Sequence, residues 1–441
     1  MLIQFKVSNY RSIGEEQVIS LLPAPKQKDF ENNILEKSKY QALNAIAIYG
    51  PNGSGKSNLL QAMDLLDSLV HISARTSSIT PLPYDPFLLK QGLATMPTLF
   101  EITFILNGYR YRYGLEFNKE EIIYEWLFRK GQSREVSLFQ RKNDIIDVSP
   151  GFQGSSKAID AAIEATRKNA LFLSTCDMLN VEEAKQIFQW FNHFRKVDGI
   201  QTEDEVFQTF ELWQNPEYRL KIKEYFSRLN LSIVDLEITT QKFDSNELNK
   251  QIPDNLRNAI IKDLNGKEGF SVWSTHKMYD ANGSKTKETV NWKLEERESA
   301  GTKKAFHISG PIIWALVNGG TLIIDEIEAK MHSIMTLQTI NLFLNKKTNP
   351  NKAQLIFATH DTNLLSYCDL RRDQIYFSSK NKWESTEVYS LSDFVYIDNK
   401  KSLKPEKERP DTDKEKRYFE GRYGAVPDLK DLLSLEIGTN G

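Results

Sequence analysis

The sequence predicts an α/β fold in which helices flank a mainly parallel sheet. Residues 321–324 and 354–358 are short runs whose hydrophobicity is continuous rather than alternating, which is typical of parallel strands covered on both faces. A third apolar run, residues 44–49, leads into a glycine-rich loop, and the residues after that loop resemble the first turns of a helix. Strands that alternate with loops and helices in this way indicate the α/β class.

Two further regions extend this sheet. Residues 99–128 alternate between apolar and polar side chains around a turn at Asn107-Gly108, which predicts an antiparallel β subdomain at about 95–130. Helical spacing of the apolar residues predicts a helical insertion at about 150–230. Helical spacing also predicts one helix over residues 303–317.

The length of 441 residues exceeds one ordinary core, so more than one lobe is expected. We predict an N-terminal lobe at 1–149, the helical insertion at 150–230, a C-terminal lobe at 231–399 and a charged tail at 400–441. Residues 400–417 contain 13 charged residues of 18, with mixed sign. This composition predicts a solvated tail or linker rather than a specific binding patch.

Composition excludes several classes of protein. The formal net charge of −2 gives no global positive field that would favour nucleic acid, although a local basic patch stays possible. The two cysteines, Cys176 and Cys368, have neither metal-ligand spacing nor a disulfide framework, which suits a reducing compartment. The N-terminus lacks the apolar stretch of a signal peptide, and residues 311–324 are too short to span a bilayer. We therefore expect a cytoplasmic protein with no membrane partner.

The glycine-rich loop at residues 50–57 has the pattern G-x-x-x-x-G-K-S between a strand and a helix. This is the context in which backbone N–H groups and a helix N-terminus hold phosphates. Lys56 can reach the β- and γ-phosphates, and the Ser57 hydroxyl can bind Mg²⁺. The sequence thus predicts a nucleoside triphosphate site, and the residues expected to contact the nucleotide are Asn52, Gly53, Ser54, Gly55, Lys56, Ser57 and Asn58.

Chemistry-bearing residues follow the two later apolar strands. Asp325 and Glu326 end the first, where an Asp can hold Mg²⁺ and a Glu can deprotonate the attacking water. His360 follows the second, where it can contact the γ-phosphate or that water. Downstream of a phosphate loop, we interpret these three residues as catalytic or metal-binding rather than as structural.

A second anion-binding helix N-terminus is predicted at residues 298–304, which we call the signature segment. Ser299 has the character of an N-cap, and the Gly301 N–H adds to the same helix start. Two such sites in one chain mean either two phosphates or one phosphate shared between two chains.

In this order of motifs, the chain resembles the ABC-type ATPase heads of the SMC, RecF and OLD group. It is more closely similar to the ATPase subunits of prokaryotic defence pairs of the RloA, AbiLi and PARIS AriA type. The resemblance also includes residues 5–12, 325–328 with His332, 370–377 and 421–427. The chain departs from the wider pattern at two places. Ala300 and Thr302 stand where a transporter-type signature has Gly and Gln, and residues 331–333 read Met-His-Ser where Leu-His-Pro is usual.

The resemblance implies the fold of an ABC-type P-loop NTPase head that forms a head-to-tail dimer, or a higher homo-oligomer, around two ATP molecules. It places Lys56 and Ser57 of one protomer opposite Ser299 and Gly301 of the other. Its further assignments are Asp325 as the Mg²⁺ ligand, Glu326 as the base, His360 as the γ-phosphate switch, Lys56 as catalytic, and Arg11 near the nucleotide. No residue stands out as the Q-loop glutamine, for which Gln91 is the only candidate.

The function that this resemblance favours is an ATP-hydrolysing sensor or regulator subunit of an anti-phage system. It would control a separate TOPRIM-type nuclease or toxin effector, respond to a phage-encoded trigger, and meet nucleic acid through its partner. The alternatives are a RecF-like or SMC-like ATPase that clamps DNA, a transporter subunit, and an OLD-type nuclease. The transporter is disfavoured by the signature segment, and the nuclease by the short region of about 80 residues after residue 361.

Overall fold

The computed structural model describes the chain from residue 1 to 427, apart from residues 26, 38, 133, 203–204, 243–267, 398–404, 408 and 410–411. The chain folds as two units. The first contains Met1–Ile200, Ala315–Ala329 and the chain from Ser333 onward, and the second contains Gln201–Trp314 and Lys330–His332. These divisions do not coincide with the boundaries predicted after residues 149, 230 and 399.

The strands of the described chain are, in order, β1 (Leu2–Ser8), β2 (Gln17–Ser20), β3 (Ile34–Lys37), β4 (Tyr40–Leu43), β5 (Ala45–Tyr49), β6 (Thr98–Leu106), β7 (Tyr109–Phe117), β8 (Ile122–Lys130), β9 (Glu135–Lys142), β10 (Ile145–Val148), β11 (Phe194–Asp198), β12 (Ile233–Lys242), β13 (Glu268–Tyr279), β14 (Lys285–Lys293), β15 (Thr321–Asp325), β16 (Gln354–Ala358), β17 (Ile375–Lys380), β18 (Thr386–Ser390), β19 (Val395–Ile397) and β20 (Pro405–Lys407). Its α-helices are α1 (Lys56–Ile72), α2 (Ser156–Ala165), α3 (Phe172–Met178), α4 (Glu182–Phe191), α5 (Glu205–Trp213), α6 (Pro216–Arg228), α7 (Leu294–Arg297), α8 (Ala300–His307), α9 (Ser309–Asn318), α10 (Ser333–Leu344), α11 (Asn363–Tyr367) and α12 (Lys414–Phe419).

The first unit contains a six-stranded sheet in the order β11-β15-β16-β5-β17-β18. All neighbours are parallel except β17 and β18, so the carboxyl ends of β5, β11, β15 and β16 lie at one edge. Every residue of β5 and β16 is buried, which is why these strands read as continuous apolar runs. Helix α1 buries apolar residues at helical spacing, from Leu59 to Val70.

The first unit also contains an antiparallel sheet of seven strands, in the order β10-β9-β8-β7-β6-β1-β2, and the two-stranded sheets β3-β4 and β19-β20. The predicted hairpin at 99–117 is confirmed as β6 and β7, and β8 follows it as expected. Aromatic side chains join the sheet to α4, where the ring of Phe104 stacks on that of Trp190 with centroids 4.0 Å apart. The predicted class, α/β with an antiparallel subdomain, is confirmed.

The helical region at 150–230 contains α2 to α6, but it also contains β11, which the sequence analysis missed. β11 is the edge strand of the six-stranded sheet and pairs in parallel with β15. Only Phe194 and Val197 of its five residues are buried apolar side chains, so the run carries neither strand alternation nor a continuous apolar pattern. The region is therefore not a single helical block, because a core strand divides it.

The second unit contains the antiparallel sheet β12-β13-β14 and helices α5 to α8. Its packing is aromatic, with the rings of Phe210 and Phe270 stacked at 4.2 Å. The prediction of a single helix at 303–317 is wrong in one respect. The structure has two helices, α8 and α9, that meet at Ile308. Among the described residues, there is no helix whose length and apolar content would allow it to cross a membrane.

The chain packs after residue 417, beyond the stretch 400–417 that is predicted to be solvated. The described residues 412–417 of that stretch are exposed or half-buried. Within residues 412–427, α12 and the turn after it bury Tyr418 and Tyr423. The ring of Tyr423 lies 4.9 Å from that of Phe377, and Glu415 accepts hydrogen bonds from Thr362 and Ser366 of the segment around α11. Aromatic residues interspersed among the charges provide enough apolar surface for this segment to pack. Residues 398–404, 408, 410–411 and 428–441 of the predicted tail lie outside the described residues.

Candidate functional site

The phosphate loop turns from β5 into α1 at the carboxyl edge of the parallel sheet. Lys56 is 5% exposed, and its Nζ donates to the carbonyl oxygens of Gly50 (2.8 Å) and Pro51 (3.2 Å). Gly55 has φ +103°, and a Cβ there would collide with Thr386 and lie 2.7 Å from Ser12 Oγ. Only glycine allows this curvature and this close approach, so the conformation of the loop requires glycine at position 55.

Hydroxyl groups from distant parts of the chain hold the loop. The Ser54 carbonyl accepts from Thr386 Oγ1 (2.8 Å) and Ser378 Oγ (3.1 Å). Ser12 Oγ bonds Thr386 Oγ1 (2.8 Å) and accepts from Asn58 Nδ2 (2.7 Å). The sequence analysis missed Thr386 and Ser378, because no local pattern marks a hydroxyl that acts across more than 300 residues.

The other predicted nucleotide contacts have different surroundings. Asn52 and Gly53 are exposed on the loop, Ser57 is half-buried at the start of α1, and the buried Ser54 Oγ has no hydrogen-bond partner among the described residues. Arg11 has φ +50°, and its guanidinium pairs with Asp85 (3.0 Å) and bonds Gln61 of α1. The role of Arg11 at the nucleotide stays a prediction.

Asp325 and Glu326 meet the phosphate loop at the same sheet edge. Asp325 Oδ1 is buried and has no hydrogen-bond partner among the described residues. A buried carboxylate oxygen without a donor fits a magnesium ligand, since Mg²⁺ prefers oxygen donors, and the Ser57 hydroxyl is the second group of that type at the loop. The donor set therefore fits the metal that the motifs imply.

Glu326 lies in an unusual backbone conformation and has a raised side-chain pKa. Its backbone lies in the left-handed region, at φ +48°, which a non-glycine residue rarely adopts and which the neighbouring structure must enforce. Burial raises the pKa of Glu326, and the carboxylates of Asp325 and Glu328 raise it further, while Lys56 opposes them. A carboxylate with a raised pKa accepts a proton from water more readily than an ordinary one.

His360 follows β16. Glu328 joins it to the turn at residues 325–328, which we call the acidic turn. The His360 N–H donates to Glu328 Oε1 at 2.6 Å, and Glu328 Oε2 is buried with no partner in the described chain. Burial lowers the pKa of His360, and the charge of Lys56 lowers it further. A neutral imidazole that can accept or donate a hydrogen bond is thus favoured beside the loop. The sequence analysis gave Glu328 no role of its own.

The missed strand β11 supports the acidic turn directly. Asp198 is the register partner of Asp325, and the Gly199 N–H donates to the Asp325 carbonyl at 2.8 Å. A Cβ on Gly199 would overlap the carbonyl oxygens of both Asp325 and Glu326. Gln91, the candidate for the Q-loop glutamine, lies exposed in the loop before β6.

We expect Gly199→Ala to displace the acidic turn. The methyl group has no space, so we expect a loss of about 1–3 kcal/mol in the free energy of unfolding. ATP turnover should fall roughly 100-fold, since a shift of about 1 Å at a catalytic group has that effect. Chemical denaturation and phosphate release measure the two effects. Gly151→Ala is the matched control, because a Cβ there meets its nearest neighbours at 3.6 Å. Wild-type turnover in Gly199→Ala would contradict the prediction.

The signature segment lies in the second unit and begins α8. Ser299 caps this helix, because its Oγ accepts from the Thr302 N–H at 3.1 Å. Ser299 and Ala300 are exposed, and a Cβ on Gly301 would lie 2.6 Å from the Lys330 carbonyl. The predicted helix N-terminus and its Ser299 cap are therefore confirmed.

Residues 370–377, which the resemblance singled out, have a structural role. The fully buried guanidinium of Arg371 makes a bidentate pair with Asp373 (2.9 and 2.8 Å) and donates to the Asp29 carbonyl (2.7 Å). Gln374 accepts from Asn33 (2.7 Å) and donates to the Ala45 carbonyl at the start of β5 (2.9 Å). This buried network fixes the strand that carries the phosphate loop.

Comparison with protein families gives one match. A family model described as "AAA domain, putative AbiEii toxin, Type IV TA system" matches residues 45–366, a range that contains the phosphate loop, the acidic turn and His360. No curated protein matches the chain.

Solved structures show a distant likeness. The SMC head domain from Thermotoga maritima is 13% identical, with 88% of this chain and 98% of that chain covered and a TM-score of 0.39. An SmcHead bound to the C-winged helix domain of ScpA is 14% identical, with 88% and 97% covered and a TM-score of 0.39. The recombination mediator protein RecF with ATP is 14% identical, with 82% and 94% covered and a TM-score of 0.30. At these TM-scores, nothing about function follows from the likeness.

Proposed function

The chain belongs to the AAA-domain family matched over residues 45–366, and from this premise we propose that it binds ATP with Mg²⁺ and hydrolyses it. The observation that carries the proposal is the meeting of Lys56, Asp325, Glu326 and His360 at one sheet edge. They are close enough that the charges of Asp325 and Glu326 act on the pKa of Lys56, and that the charge of Lys56 acts on the pKa values of Glu326 and His360.

Each residue then has a defined task. Lys56 Nζ exchanges its bonds to the loop carbonyls for the β- and γ-phosphates. Ser57 and Asp325 would hold Mg²⁺, which when bound neutralises phosphate charge. Glu326 takes a proton from the attacking water, and His360 hydrogen-bonds the γ-phosphate.

We further propose that two copies assemble head to tail, with ATP held at the interface between them, which we call the seam. A higher homo-oligomer could be built on the same seam. The support is the exposed helix N-terminus at Ser299 and Gly301. It offers a second place for an anion, and the phosphate loop does not need it to bind a nucleotide. In the dimer, this site of one protomer completes the nucleotide site of its partner.

The biological role that we propose is control of a separate nuclease or toxin effector in a cytoplasmic anti-phage pair. Support comes from the family description, which names a toxin system, and from the defence-type motifs at 370–377 and 421–427. The described part of the second motif packs against Phe377 and Tyr389, next to the sheet that binds the nucleotide. A partner bound to this segment would thus be close to the ATPase core.

The purified chain should release phosphate from ATP with Mg²⁺ and stop when EDTA removes the metal, and it should not cleave DNA. Phage protection and effector activity should require co-expression with the neighbouring gene product. Phosphate release and plasmid cleavage are measured for the chain alone, for its partner alone and for both. DNA cleavage or phage protection by the single chain would contradict the two-component role. ATP-dependent retention of closed circular DNA by the single chain would favour a DNA clamp instead.

A further inference from the structure

Glu298, the residue immediately before the signature cap, is held by three hydrogen bonds from two strands. Its Oε1 accepts from Ser274 Oγ (2.7 Å) and His276 Nε2 (2.8 Å) on β13, and from Trp292 Nε1 (2.8 Å) on β14. All of these residues belong to the second unit, as does Ser299. We call Glu298 and its three donors the glutamate hub.

The glutamate hub is rigid and shielded from water. The side chain of Glu298 is 10% exposed and that of His276 is 13% exposed, while Ser274 is fully buried. The rings of His276 and Trp292 stack with centroids 4.1 Å apart and planes inclined by 19°. Burial by itself would raise the pKa of Glu298, but the hydrogen bonds from Ser274, Trp292 and His276 outweigh it, and the pKa lies below its ordinary value.

An ionised Glu298 defines the direction of every bond in the hub. A carboxylate can only accept, so His276 Nε2 carries the proton that it shares with Oε1. Three donors converge on one oxygen, and such charge-assisted bonds are stronger than neutral ones. Removing the carboxylate would leave two or three buried donors without an acceptor, which is costly.

The hub lies one peptide bond away from the exposed start of α8. The Glu298 N–H donates to the Leu294 carbonyl of α7 at 3.1 Å, and the next residue, Ser299, caps α8. The carboxylate of Glu298 is bonded to β13 and β14, so these contacts tie the residue before the helix start to the two strands.

We propose that Glu298 is a positioning residue for ATP hydrolysis, which fixes the signature segment to the β13–β14 strand pair. This inference rests on the proposed function, in which Ser299 and Gly301 complete the nucleotide site of a second copy. A merely structural Glu298 would change stability alone. A positioning Glu298 changes turnover while ATP binding to the phosphate loop of the same chain is retained.

The test compares Glu298→Ala and Glu298→Gln in the full chain. For Glu298→Ala, we expect kcat to fall roughly 10- to 100-fold, because the misplaced helix start no longer meets the partner's phosphate. The Kd for ATP with the isolated monomer should be unchanged. Glu298→Gln keeps an accepting oxygen and should recover much of kcat. The matched control is Glu296→Ala, which removes an exposed acid two residues away that pairs with Lys293 on the surface (3.4 Å).

Two further variants keep the test valid if Glu298→Ala does not fold. Ser274→Ala and His276→Phe each remove one donor, and His276→Phe keeps the ring that stacks on Trp292. Each should lower kcat by a smaller factor than the loss of Glu298. Wild-type kcat in Glu298→Ala, or in both single-donor variants, would overturn the proposal. So would a fall in kcat that is matched by an equal rise in the Kd for ATP.

Ser299→Asp, measured in parallel, separates this inference from the proposed function. Full turnover in Ser299→Asp would show that no partner uses the helix start, and the dimer proposal would fail first. An inactive Ser299→Asp beside a fully active Glu298→Ala would overturn only the role of Glu298.

Discussion

Lys56→Ala should lose ATP binding, with an affinity at least about 100-fold weaker than that of the wild type. The amine supplies charge-assisted hydrogen bonds to two phosphates, and a bond of this kind contributes about 1.5–3 kcal/mol. Titration with a fluorescent ATP analogue measures the affinity. Lys157→Ala, on the exposed surface of α2, is the control and should bind as the wild type does.

Loss of binding in Lys56→Ala should not come from unfolding. Burial lowers the pKa of Lys56 to about 8 from its ordinary 10.5, so the unfolded chain binds the proton more tightly than the folded one. Between those two pH values the wild type should gain stability as pH rises, and Lys56→Ala should lack this gain. Melting experiments across that range check the sign. A variant that melts well below the wild type at pH 7 would show that the lysine has a structural role.

Glu326→Gln should show the opposite behaviour, with ATP binding retained and turnover lowered by roughly 10²–10⁴-fold. The amide cannot take a proton from water, but it leaves the phosphate loop and Asp325 intact. ATP should therefore accumulate in a closed dimer, which size-exclusion chromatography with light scattering detects. Glu164→Gln on α2 is the control for the same substitution at an exposed site. Near wild-type hydrolysis by Glu326→Gln would remove this residue from its assigned role.

Ser299→Arg should bind ATP normally and remain a monomer that does not hydrolyse it. The phosphate loop of the same chain is untouched, but bulk and positive charge replace the hydroxyl that would face the partner's nucleotide. Light scattering with ATP and phosphate release measure the two effects. The control is Ser155→Arg at the N-cap of α2, where no side-chain cap bond is present. A Ser299→Arg monomer with full activity would show that Ser299 is only a helix cap.

Ser299→Asp separates capping from catalysis. Asp caps a helix as well as Ser does, so α8 should stay folded. Its negative charge would repel the partner's γ-phosphate, and we expect hydrolysis to be lost as in Ser299→Arg. A stable Ser299→Asp that hydrolyses ATP at the wild-type rate would contradict the shared site.

Mixing Ser299→Arg with Lys56→Ala then tests whether the two sites of a dimer act together. Such a mixed dimer has one seam made from two intact half-sites and one seam in which both halves are altered. Partial recovery of turnover would show that the seams act independently, and little or no recovery would show that they are coupled. Full wild-type activity would contradict the head-to-tail arrangement.

The local features of the site could be predicted from the sequence. The phosphate loop depends on glycines and a lysine within eight consecutive residues, and the acidic turn follows an apolar strand directly. The cap at Ser299 was equally visible, because a helix start is set by its own few residues. These features are encoded by neighbours in the chain, and the structure has each of them where the sequence predicted it.

Tertiary structure alone decided which distant residues support that site. Ser12 and Thr386 meet at the phosphate loop although 374 residues separate them, and β11 supports the acidic turn although its sequence has no strand pattern. Glu298 was read as part of a helix start, yet its carboxylate is anchored by two strands. Contacts of this kind depend on packing between elements, and a pattern within a short window of sequence cannot contain them. The sequence therefore determined the chemistry of the site, and the folded chain determined which residues hold that chemistry in position.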